Sequence, residues 1–185
     1  MSRKEFDRFV KRKNEEQAEL AMDTGKQLEE WHEYLDQLYV MAKEFLALYI
    51  DAGSVKIDYK PVSINEEFSG PYDALSMLVY IGTSVVEFKP IGTMLIGSKG
   101  RVDVVGPSGT ARLSLVKKNV EHAGDLIKVS IILANRDQPP PETKPKNDPA
   151  QIEWAWKIMT PPPEMKFIPL TEDTFLDMLL GVAGD

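Results

Sequence analysis

The stretch LSMLVYIGTSVVEFKPIGTMLIGSKGRVDVVGPSGTARLSLVKKNVEHAGDLIKVSIILA, residues 75–134, decides the fold: short apolar segments recur in it, separated at regular intervals by glycine and proline. Gly82-Thr83 is a two-residue connection with glycine first, which suits a type II′ hairpin because glycine takes positive φ without a Cβ clash. Lys89-Pro90-Ile91-Gly92 and Gly106-Pro107-Ser108-Gly109 put proline second and glycine fourth, the preference of a type I turn. Gly97-Ser98-Lys99-Gly100 reads as a fourth tight connection and Asn119 to Asp125 as a looser fifth. Six strands in an antiparallel meander follow from this punctuation.

Alternation assigns the faces. Ile127, Val129, Ile131 and Leu133 point away from Lys128 and Ser130, and Val102 and Val104 oppose Arg101 and Asp103. Leu75 to Ile81 is apolar at both parities, so cover on both of its faces is expected. Upstream, Leu28, Trp31, Leu35, Leu38, Ala42, Phe45 and Tyr49 recur in steps of three and four, with Met41 and Leu48 widening the stripe, and Gly53 ends this helix. A helix over residues 27–51 is about 37 Å long and six strands span about 29 Å, so it can cross the sheet. Its aromatic content favours packing on the sheet over a coiled-coil seam.

Before it, residues 3–24 carry dense charge and few apolar residues, Phe6, Phe9, Val10 and Leu20 chief among them. They read as a solvated helix in which Arg8, Lys11, Arg12 and Lys13 pair with Glu15, Glu16 and Glu19. Val55, Ile57 and Tyr59 form a strand that Pro61 interrupts, to resume at Val62–Asn65, and proline places it at a sheet edge. Glu66 to Asp73 reads as a loop. Residues 136–150, with Pro139, Pro140, Pro141, Pro145 and Pro149, read as a mobile Pro-rich loop. Trp154 and Trp156 then alternate with Glu153, Ala155 and Lys157 on a strand, a short strand follows at Met165–Ile168, and Thr171 caps a final helix with Phe175, Met178, Leu179 and Val182 inward. The expectation is an α+β fold: a long amphipathic helix on an antiparallel meander of six to nine strands, with a short C-terminal helix. Residues 1–25 form a charged helical extension and residues 26–185 one domain.

Composition narrows the function classes. A net charge of −7 with pI near 5.0 argues against broad binding to nucleic acid or anionic membrane. The absence of cysteine removes disulfides, thiol nucleophiles and thiolate metal sites. No apolar leader or membrane-length run occurs, so a soluble, cytoplasmic protein is expected. His32 and His122 lack a third ligand at local spacing, so no metal and no cofactor are expected, and residues 92–99 fail as a phosphate loop because Ser and Lys are in the wrong order and a strand follows.

Two groups of residues stand out as candidate binding sites. Glu87, Lys89, Arg101 and Asp103 meet on one sheet face, either as a ladder of ion pairs or with Arg101 as an anion receptor oriented by Asp103. Trp154 and Trp156 share the inner side of one strand, facing the core or an apolar pocket. No acid–base or nucleophile–base pair is identifiable, so catalysis ranks last. The leading expectation is an interaction or accessory module with a protein partner or a homodimer through the N-terminal helix, and the second is a binder of a small apolar ligand between helix and sheet.

Overall fold

A computed structural model describes residues 3–67, 69–93, 97–122, 124–126 and 153–184. The order is α1 (Arg3–Phe45), α2 (Ala47–Asp51), β1 (Val55–Glu66), β2 (Gly70–Ile81), β3 (Ser84–Gly92), β4 (Ser98–Gly106), β5 (Gly109–Lys117), β6 (Trp154–Met159), β7 (Phe167–Pro169) and α3 (Glu172–Ala183). Seven antiparallel strands lie in sequence order in one sheet. The α+β architecture, a long helix on a meander with a terminal helix, is therefore present. The expected strand at residues 127–133 and the Pro-rich loop at 136–150 lie outside the described residues.

Helix α1 crosses the sheet on one face. Its Trp31 ring lies 6.1 Å from that of Trp156 on β6, and its Tyr39 ring 5.7 Å from that of Tyr59 on β1. Trp31, Leu35, Leu38 and Ala42 are buried against Met77, Val79, Val86, Phe88, Val102, Val104, Leu113 and Leu115, the inward parity of four successive strands. Helix α3 closes the same face, with Phe175 between Phe45 at 5.3 Å and Phe88 at 5.9 Å.

Several local expectations are corrected. The helix bends at Leu46, which is buried, and the short α2 that follows leaves Leu48 and Tyr49 exposed at 79% and 46% rather than on the stripe. Gly53 does end the helix, at φ 72°, where the Gly53 and Ser54 amides donate to the carbonyls of Ile50 and Tyr49. Pro61 does not interrupt β1, which runs through it as the edge strand, where a missing N–H costs nothing. Residues 70–73 are strand rather than loop, paired with Ser63–Glu66. Lys89–Gly92 is strand, with a register shift between Pro90 and Gly92 where β3 stays paired with β4; of Gly97–Gly100 only Gly97 lies in a turn, at φ 75°, and Ser98–Gly100 is a register shift where β4 stays paired with β5. Gly82–Thr83 and Pro107–Ser108 are the true two-residue connections; Gly82 alone takes positive φ in its turn, as type II′ requires. Strand β2 is only partly covered on its outer face, where Ser76 is buried but Leu78 and Tyr80 are half-buried; the doubly covered strand is β5, where Leu113, Ser114, Leu115 and Val116 are all buried.

The second cover is a small cluster on the outer face. Val116, Val120 and Phe167 pack with Leu126 and Met159 there. Beside it Lys157, only 4% exposed, donates to the carbonyl oxygens of Lys118 at 2.9 Å and Val120 at 2.6 Å, pinning the chain that leaves β5. At the other side of the sheet, β2 pairs with β3 only from Met77 to Ile81, while β1 and β2 stay paired to Glu66 and Gly70. Beyond Met77 this ribbon leaves the sheet, and its inward positions change parity from Ile57 and Tyr59 to Val62 and Ile64 without a register shift. Its end is tied back by Glu66, which accepts from the Thr93 amide at 2.7 Å, over Gly92, where a Cβ would stand 2.4 Å from Oε1.

Candidate functional site

The register carries Glu87, Lys89, Arg101 and Asp103 to the sheet face away from α1, with Lys89 directly opposite Asp103. They divide into two units. The Arg101 guanidinium donates through Nε and Nη2 to both carboxylate oxygens of Asp103, each at 2.7 Å, in a fork-to-fork pair about four-fifths buried. Two of its donors are thereby committed before any anion arrives. Glu87 accepts from Ser76 Oγ at 2.7 Å and Lys60 Nζ at 3.0 Å. Burial alone pushes the Glu87 carboxyl up, but those two hydrogen bonds and the charges of Lys60 and Lys89 outweigh it and hold the group below the usual carboxylate range.

Trp154 and Trp156 share the inner side of β6 and serve different ends. Trp156 is core: it is 5% exposed and its indole N–H donates to the Tyr34 carbonyl at 3.0 Å. Trp154 is half-buried, with the Lys99 ammonium 5.1 Å from its ring centre and 5.8 Å from that of Tyr34. Lys99 also pairs with Glu30 on α1, so the space beside Trp154 holds a fixed cation. Sequence reasoning missed Lys99 because it read residues 97–100 as a turn.

A groove of about 740 Å³ lies elsewhere, between α3 and the ends of β5 and β6. Ile158, Met159, Ile168, Met178 and Val182 give it apolar walls, and Arg112 and Asp177 stand among its polar lining. Neither tryptophan lines it. Its residues come from three distant segments, so only the tertiary structure assembles it.

The other feature without intramolecular cover is the N-terminal part of α1. Residues 5–16 are all exposed, including Phe6 at 65%, Phe9 at 47% and Val10 at 39%, and among the helix residues whose side chains are described the first buried one is Trp31. From Arg3 to Gln27 this arm is about 37 Å long. Along it Lys11 pairs with Glu15 at 3.9 Å, Arg12 with Glu16 at 3.7 Å and Lys13 with Glu16 at 2.6 Å, as the charge spacing predicts.

His32 meets Tyr72 edge-on at 6.2 Å, and His122 is bridged by backbone to Lys166. Among the described residues no group of three His, Cys, Asp or Glu is placed to hold a metal ion, and no helix is long and apolar enough to cross a membrane. Comparison of the chain with protein-family models, with curated proteins and with solved structures finds no match.

Proposed function

We propose that the protein is a non-catalytic interaction module: an α+β body that holds out the first part of α1 as an arm for another protein. One observation carries this reading. Phe6, Phe9 and Val10 stand in water on the arm, beyond the part of α1 whose Trp31, Leu35, Leu38 and Ala42 pack on the sheet. A cluster of two phenylalanines and a valine exposed on a helix that leaves its own sheet is explained by a surface supplied in trans.

A photo-reactive phenylalanine placed at Phe9 tests it. Irradiation in the source cells is expected to give protein adducts there and none from the same group at Val40, which is exposed at 52% on the body part of the helix. Equal labelling at the two positions, or adducts only with lipid or nucleic acid, would refute the reading.

The groove supports a second reading, the binding of a small apolar ligand. Its volume falls within the roughly 300–1,000 Å³ of ligand sites, and it carries two methionines whose methyl groups report occupancy. In a ligand screen followed by methyl NMR, Met159 and Met178 are expected to shift while Met165, outside the groove, does not.

A further inference from the structure

The arm also carries information about which protein it meets. We infer that its partner is the arm of a second copy of this chain, laid antiparallel about a two-fold axis near residue 15; this rests on the reading of the arm as a protein-contact element.

Charge order along the arm sets the orientation. Residues 3–13 carry six Lys or Arg against two Asp or Glu, whereas residues 14–27 carry four Asp or Glu against one Lys. A basic block thus leads directly into an acidic block on one continuous helix. Parallel pairing of two arms would set basic on basic and acidic on acidic. Antiparallel pairing sets each basic block against the other chain's acidic block, twice over, and a two-fold interface must be self-complementary in this way. The other polymers that a basic helix attracts are disfavoured by the same order. An anionic membrane or nucleic acid would meet residues 3–13 favourably, then the acidic block, then a remainder of the chain, residues 14–185, with sixteen Lys or Arg against twenty-seven Asp or Glu.

The seam is mixed, with Phe6, Val10 and Leu20 its apolar members and Lys13, Gln17 and Thr24 its polar ones. Positions 6, 10, 13, 17, 20 and 24 succeed one another in steps of four and three, the spacing of a two-helix contact. Phe6 and Val10 are exposed on it, and Phe9 flanks it. Lys13 falls on the seam, but its ammonium is drawn aside to Glu16 at 2.6 Å, which leaves the methylene stem to pack. An axis near residue 15 brings position 13 of one chain against position 17 of the other.

The chain has no cysteine, so introduced thiols report this geometry without background. In sedimentation equilibrium the full-length protein is expected to move from 20.8 kDa toward twice that mass as concentration rises, and to dissociate with added salt. Val10→Asp is expected to weaken the dimer by about tenfold or more, with circular dichroism of the body unchanged because the arm lies outside the core. An equal mixture of Lys13→Cys and Gln17→Cys proteins, oxidised gently, should give the mixed 13–17 disulfide in excess over either homodisulfide. Predominance of the homodisulfides overturns the antiparallel assignment. A monomer at the highest soluble concentration overturns the second copy as partner, and the arm's wider role then stands or falls separately on the Phe9 adducts.

Discussion

Gly100 on β4 is the residue on which the helix–sheet contact closes. A Cβ there would lie 2.0 Å from one atom of the Trp31 ring and 2.5 Å from the next, and that ring, 1% exposed, is enclosed by core on its other sides. Gly100→Ala is therefore expected to cost roughly 1–3 kcal/mol or more, read as a lower urea midpoint. In a Trp31→Phe background, which removes the two crowded ring atoms, the same substitution should cost much less; equal costs in both backgrounds would break the argument. Glu87 gives a second test, through pH. Its folded-state pKa is lowered, so its contribution to stability is complete above the ordinary carboxylate value of about 4.3 and is lost as pH falls through the lower folded value. The Tm of the native protein should thus fall more steeply below about pH 5 than that of Glu87→Gln; parallel curves would mean that Ser76 and Lys60 do not favour the charged form. The alternation of β3 placed Glu87 on the outer face in the sequence. Its partners could not be read there, because Lys60 and Ser76 reach it only through the register of three strands.

At the scale of elements, the helices were more legible than the turns. The Thr171 cap stands as expected: its hydroxyl accepts from the Thr174 amide, the Thr174 hydroxyl accepts from the Thr171 amide at 2.9 Å, and Phe175, Met178, Leu179 and Val182 are inward. Because α3 covers the core beside Phe88 and its C-terminal carbonyls receive the Ser108 amide and the Ser84 hydroxyl, loosening its first turn is felt by the whole domain. Thr171→Ala is expected to lower global stability by about 1 kcal/mol; a change confined to local exchange of the α3 amides would show that the helix frays independently. Glycine and proline were good witnesses at Gly82 and Pro107, where the chain truly reverses. They misled at Pro90 and Gly100 because the same residues accommodate a bulge, and only the pairing across to the next strand separates a bulge from a turn. The groove left no sequence signal, since β5, β6 and α3 contribute to it from segments tens of residues apart.

For the whole molecule, the distinctive property is one continuous 43-residue helix in two environments. Nucleation is the costly step in helix formation, but the arm does not have to nucleate: the turns fixed on the sheet from Trp31 onward are its template, and its i,i+4 ion pairs add a few tenths of a kcal/mol each. Helicity should therefore decay smoothly from the body toward Arg3 rather than end at Gly25. Hydrogen exchange makes this visible. In dilute solution the amides of residues 6–20 are expected to exchange orders of magnitude faster than those of residues 35–45, which open only with the core. As protein concentration rises, arm protection should grow while body protection stays constant, because pairing of arms stabilises turns that nothing else covers. Slow exchange of the arm in the dilute monomer would instead mean that the chain covers its own stripe, and the case for a surface supplied in trans would collapse.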